Sequence, residues 1–181
     1  HATHMTESET RAMAKSGAVA GLCPITEANL GDGIFPAPGF LSEGGHYGVG
    51  SDSNILISVP EELRTLEYSQ RLSLRARNVI ADAGRSTGEK LFRGALQGGG
   101  RAMASPNGLE REKSADFVAL DVSAAPYLAP SQILDQWIFA GGVGVDSVWV
   151  RGKKCVGGGR HIRRSEISAR FNKVMAELLE S

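Results

Sequence analysis

Tyr47-Gly48-Val49-Gly50-Ser51-Asp52-Ser53 is a short apolar run that passes through small residues and ends on a carboxylate. A run of this length, bounded by glycine and polar turn formers, reads as a buried strand of a parallel sheet. A carboxylate released just past the C-terminal end of such a strand suits the mouth of a (β/α) barrel, where barrel enzymes keep their chemistry. Taken alone, Gly50-Ser51-Asp52-Ser53 reads equally as an ordinary turn, so the flanking sequence has to decide.

Upstream, Thr6-Glu7-Ser8-Glu9 has the spacing of a capping box and predicts a short helix that Gly17 can close. Ala18 to Leu22 is an apolar run of strand length, stopped by Pro24. The polar, glycine-rich stretch from Ile25 to Pro36 reads as a βα loop at a site, and a short helix around Gly39 to Glu43 is broken by Gly44-Gly45. Downstream, Ser58-Val59-Pro60-Glu61 has a second capping-box spacing, and Glu61 to Ala83 holds few breakers, which predicts one long helix or two consecutive ones. Ser86-Thr87-Gly88-Glu89 opens a further helix, which Gly98-Gly99-Gly100 is expected to end. This alternation of strands and helices is that of an α/β fold with parallel strands.

Composition shifts between Arg101 and Lys113, a stretch that reads as a linker. Beyond it, Asp116 to Asp121 reads as a strand, and Ser131 to Ala140 as a short amphipathic helix. Ser147 to Val150 and Lys153 to Val156 flank Arg151-Gly152 as a β-hairpin. Ile167, Phe171, Val174, Met175 and Leu178 fall on one face of a C-terminal helix.

Five stretches, in their order and spacing, resemble the last third of an amidohydrolase-superfamily deaminase: His1 to His4, Gly21 to Pro36, Pro60 to Tyr68, Leu134 to Gly142 and Val148 to Gly152. The resemblance implies the C-terminal part of a (β/α)8 TIM barrel over residues 1–105. Part of a small β-sandwich with a C-terminal helix would follow over 106–181. A whole barrel takes about 250 residues. At 181 residues, starting on a site motif, the chain is therefore expected to be the C-terminal portion of a longer protein.

The resemblance also implies a metal-dependent hydrolase that releases ammonia from a linear amidine, N-formimino-L-glutamate, in histidine breakdown. Asp52 would be both metal ligand and proton carrier, with zinc the expected metal. His1 would stand beside the metal as acid or electrostatic stabiliser, with His4 the alternative. The family's remaining ligands, histidines of earlier strands, are not in this chain, so the portion by itself is expected to be inactive. Thr26, Glu27 and Asn29 are polar groups near the expected pocket mouth, either solvated or touching substrate. The alternatives are an aminohydrolase of a purine or pyrimidine, or a non-catalytic interaction module.

Composition narrows the partners. The formal net charge is zero and 41% of residues are hydrophobic, which suits a globular domain; a small-molecule substrate is what the resemblance implies. Residues 151–181 carry 8 basic and 3 acidic groups, but no aromatic interleaving or nucleic-acid motif accompanies them, so no nucleic-acid partner is expected. No run approaches the ~18 apolar residues of a membrane span, so no membrane partner is expected either. A cytoplasmic setting is the default, and the resemblance implies a homodimer for the whole protein. Cys23 and Cys155 lie far apart without metal-type spacing and read as small strand residues. Gly157-Gly158-Gly159 lacks the Lys-Ser/Thr pair of a phosphate loop and reads as a turn. His46 and His161 read as surface residues.

Overall fold

The computed structural model describes residues 1–105 and 107–180. It opens with helix α1 (Glu7–Ser16), where Thr6 and Glu9 form the expected reciprocal capping box and Gly17 closes the helix in the left-handed region at φ 75°. Strand β1 (Val19–Leu22) comes next, then helix α2 (Pro24–Leu30), helix α3 (Ala37–Ser42) and strand β2 (His46–Val49). The two strands pair in parallel, Val19 opposite His46 and Leu22 opposite Val49. The hydrogen bond from Gly50 N–H to the Leu22 carbonyl (3.0 Å) extends their union one residue further.

Helices α4 (Val59–Leu74) and α5 (Thr87–Ala102) close over this pair. Tyr47 is 2% exposed, and its hydroxyl donates to the Leu91 carbonyl of α5 at 2.9 Å. The core gathers Leu22, Phe35, Phe40, Leu63, Leu66, Leu91 and Ile138 around it. Along α4, Glu62, Leu63, Leu66, Glu67 and Gln70 form the buried face. Glu67 is fully buried, with Arg71 at 2.7 Å and the N–H groups of Val79 and Ile80 at 2.9 and 2.8 Å, so one carboxylate holds down the irregular segment after α4.

Three local expectations are corrected. Glycines 98–100 do not end α5, which runs on to Ala102. The reason is tertiary: a Cβ at Gly98 would overlap the Tyr47 carbonyl, and one at Gly94 would sit 2.8 Å from the Tyr47 ring, so this face of α5 is glycine because it lies against β2. Ser58 makes no side-chain cap bond at the start of α4, which ends at Leu74 with Arg75 in the left-handed region at φ 51°. The stretch 25–36 is not all loop, since Pro24 starts α2, as proline in a first helical turn can.

Strand β3 (Phe117–Asp121) begins the remainder, and Pro106, within the expected linker, lies outside the described residues. Helix α6 (Ile133–Phe139) comes after a single 3-10 turn. It packs back on the first half: Trp137 meets Phe92 edge-on, Phe139 stacks on Tyr68, and Asp135 accepts the Gly88 N–H at 2.8 Å. Strands β4 (Gly144–Val150), β5 (Lys153–Gly157) and β6 (Arg160–His161) complete an antiparallel sheet in the order β3-β4-β5-β6. Phe117 stacks on Trp149 across β3 and β4, with Lys154 over the Trp149 ring. Helix α7 (Arg164–Leu179) ends the chain with Ile167, Phe171 and Val174 exposed. Among the described residues no helix is long and apolar enough to cross a membrane.

Candidate active site

Because β1 and β2 run in parallel and are joined at Leu22 and Gly50, the segments leaving their C-terminal ends emerge on the same side of the pair. After β1 comes Cys23, and after β2 a tight turn in which Asn54 N–H donates to the Ser51 carbonyl at 3.0 Å. In that turn Asp52 takes φ 42° and Asn54 φ 56°, left-handed values that Asp and Asn adopt more readily than most residues. The turn directs the Asp52 carboxylate toward the residues beside β1.

His1 meets it there. Its Nε2 lies 3.6 Å from Asp52 Oδ2, and its Nδ1 lies 3.2 Å from Glu27 Oε1. His1 and Asp52 side chains are 44% and 46% exposed, whereas Glu27 is 6%. The His1 main-chain nitrogen donates to the Gly21 carbonyl of β1 at 2.8 Å, which anchors the residue to the strand. Glu27 Oε1 also accepts the Cys23 N–H at 2.8 Å, so a single buried oxygen serves both the start of α2 and the histidine ring.

A second buried acid stands behind the first. Glu62 of α4 accepts the Ile25 N–H at 2.9 Å through Oε2, while its Oε1 is buried without a partner. Burial pushes the carboxyls of Glu27 and Glu62 above their ordinary value, with their first-turn N–H partners pulling the other way. Burial also pushes up the Cys23 thiol, and the charges of Asp52, Glu27 and Glu62 add to the effect. Thr26, 2% exposed, bonds Ser53 Oγ at 2.9 Å and so ties α2 to the Asp52 turn.

From sequence, Asp52 is the one metal ligand expected of this chain and Cys23 a small strand residue. In the structure an imidazole nitrogen of His1, the Cys23 sulfur and an Asp52 oxygen all lie within 4.8 Å of one another. Nitrogen, sulfur and carboxylate oxygen together suit a borderline-soft dication such as zinc. The negative surroundings that disfavour a free thiolate would favour a dication.

His4 is exposed and does not join this cluster. Asn29 is exposed as well, His46 lies at the far end of β2, and His161 is exposed in β6, where its Nδ1 accepts the Arg163 N–H. Glycines 157–159 form the β5–β6 turn. Sequence reasoning missed the joint contact of Glu27 with Cys23 and His1. Glutamate four residues after Cys23, on a helix opened by Pro24, was the available signal.

Residues 1–155 match the Amidohydrolase family. The chain is 48% identical to formimidoylglutamate deiminase of Pseudomonas aeruginosa over 99% of its own length and 41% of the relative's. It superposes on a crystal structure described as an amidohydrolase from Brucella melitensis with a TM-score of 0.96 and 57% identity, over 99% of this chain and 40% of that one. A zinc-bound adenosine deaminase from Xanthomonas campestris shares the fold at a TM-score of 0.84 and 23% identity, over all of this chain and 42% of the other. The chain thus spans about two fifths of the length of the relatives it matches.

Proposed function

The chain belongs to the amidohydrolase family, and from that premise we propose that it is the C-terminal part of a metal-dependent deiminase that hydrolyses N-formimino-L-glutamate to N-formyl-L-glutamate and ammonia. The observation that carries this reading is the contact of Asp52, in the turn just past β2, with His1, whose main chain is bonded to Gly21 of the parallel strand β1, in a chain 48% identical to a formimidoylglutamate deiminase. In this reading β1 and β2 are the last two strands of a (β/α)8 barrel, whose part of the chain is residues 1–105. Residues 106–181 are the β-rich appendage, a division supported by the change from parallel to antiparallel pairing.

Asp52 is the residue that would hold the metal, and Cys23 and His1 stand within reach of the same position. When bound, a divalent metal there supplies Lewis acidity and a water of lowered pKa. The reaction adds the oxygen of water to the formimino carbon and expels its terminal nitrogen, which leaves as ammonia carrying both protons of the water. Asp52, half-exposed at the strand mouth, is placed to take the first proton and pass it to the departing nitrogen. His1 Nε2, on the same side, is placed to stabilise the charge that builds as the carbon is attacked. The family's further ligands lie outside this chain, so in this reading the 181-residue portion alone turns over no substrate.

The test is ammonia and N-formylglutamate release by the whole protein from N-formimino-L-glutamate, with loss on chelation and recovery on adding zinc. Preferential turnover of a purine or pyrimidine would overturn the substrate assignment and leave the family unchanged.

A further inference from the structure

Glu27 is a buried carboxylate, 5% exposed, and burial of charge is costly unless partners repay it. Its partners sit on one oxygen: the Cys23 N–H at 2.8 Å and His1 Nδ1 at 3.2 Å. The first contact alone would make Glu27 a brace for the start of α2. The second reaches a ring whose other nitrogen faces Asp52 at 3.6 Å.

The geometry points to Glu27 as the positioning residue for His1: by accepting a hydrogen bond from Nδ1–H it fixes the plane of the ring and leaves Nε2 as the nitrogen presented to Asp52 and to substrate. An imidazole has two distinct nitrogens, and the bond made by one sets the state of the other. Without a partner at Nδ1, a ring 44% exposed would turn freely about its side-chain bonds. The Gly21 carbonyl holds the main chain of His1 but leaves the ring unconstrained, so Glu27 is what converts a tethered histidine into an aimed one. Asp32, whose charge acts on Glu27, and the Cys23 thiol make no hydrogen bond to the ring among the described contacts. The inference deepens the deiminase reading and rests on it for the word substrate, but the ring's orientation can be tested without turnover.

Two measurements decide it. Nitrogen-15 correlation spectra of the whole protein, above the pH where the ring is protonated, should show His1 as the Nδ1–H tautomer. Glu27→Ala should return the ring to the Nε2–H form that free histidine prefers. In the whole protein, Glu27→Ala should lower kcat by about 10- to 100-fold, the range found when an outer hydrogen-bond partner of a functional histidine is lost. KM should change by less than about threefold, because Glu27 itself touches no substrate. Glu27→Gln keeps an acceptor oxygen for both N–H groups and should recover most of the rate and the native tautomer. An Nε2–H tautomer in the unsubstituted chain, or a tautomer unmoved by Glu27→Ala, overturns the inference whatever the substrate proves to be. A rise in KM with kcat intact overturns it too, since Glu27 would then be a binding group. Absence of deiminase activity, with the tautomer change observed, would overturn the function and leave the positioning role standing.

Discussion

Gly98 of α5 lies against the backbone of Tyr47 in β2 with no room for a side chain between them, so that a Cβ on Gly98 would overlap the Tyr47 carbonyl oxygen and stand 2.9 Å from its nitrogen. One turn earlier, Gly94 gives the Tyr47 ring its space. The strand that carries Asp52 is therefore seated by a helix stripped of side chains along one face.

Gly98→Ala should destabilise the chain by about 1–3 kcal/mol, the cost of overpacking a closed contact. Gly99→Ala, one residue on, faces open space and should stabilise by up to about 1 kcal/mol, the helix-propensity difference between the two residues. Denaturant titration of both variants checks the pair, and equal effects would mean that α5 does not seat on β2 as described.

Asp52→Asn in the whole protein should abolish deiminase turnover with little change in thermal stability. Asparagine tolerates the φ of 42° at this half-exposed position but cannot carry the proton. Steady-state kinetics retaining activity within about tenfold of wild type would take Asp52 out of the mechanism.

His1→Gln should lower kcat at least about 100-fold, the lower end for general acid-base assistance. His4→Gln should cost far less, because the His4 ring does not join the cluster at Asp52. Parallel kinetics of the two variants settle which histidine acts, and a large loss confined to His4→Gln would shift the assignment by three residues.

Glu62 gives a pH dependence with a definite sign. Its carboxyl is pushed above the ordinary 4.5 by burial, with the Ile25 N–H lowering and the Glu27 charge raising it further. A proton held more tightly by the folded than by the unfolded chain stabilises the fold below the ordinary value, and this contribution is lost as pH rises through the folded value. Glu62→Gln, which stays neutral, should therefore gain on wild type as the pH is raised from about 4 to about 8. Melting curves across that range check it, and parallel pH slopes would remove Glu62 as the source.

The parts of the fold written in short-range patterns were readable from the sequence: the Thr6–Glu9 box, the two strand-length apolar runs and the Arg151-Gly152 hairpin depend on neighbours in the chain. Asp52 stood out for the same reason, a carboxylate just past small strand residues. The triple glycine misled because glycine usually punctuates a helix, whereas here Tyr47, far away in sequence, demands the first of the three, Gly98. Glu62 was legible as a helix residue and Glu27 only as a loop residue, and neither as a buried acid, since helical spacing gives a face and not which charges that face must bury. The neighbourhood of Cys23 with His1 and Asp52 was illegible because the three meet only through the tertiary fold.

The parallel pairing of β1 with β2 has a consequence for the order of folding. Parallel strands cannot be closed by a tight turn, and here the crossover carries both α2 and α3. Its closure entropy must be met before the strand pairing returns anything, whereas α4 and α5 draw on local hydrogen bonds from the start. On refolding, the helical far-ultraviolet signal should thus return ahead of the contact between His1 and Asp52. The residues proposed for the chemistry would come together only when the chain has finished folding, which keeps half-folded copies from acting on substrate.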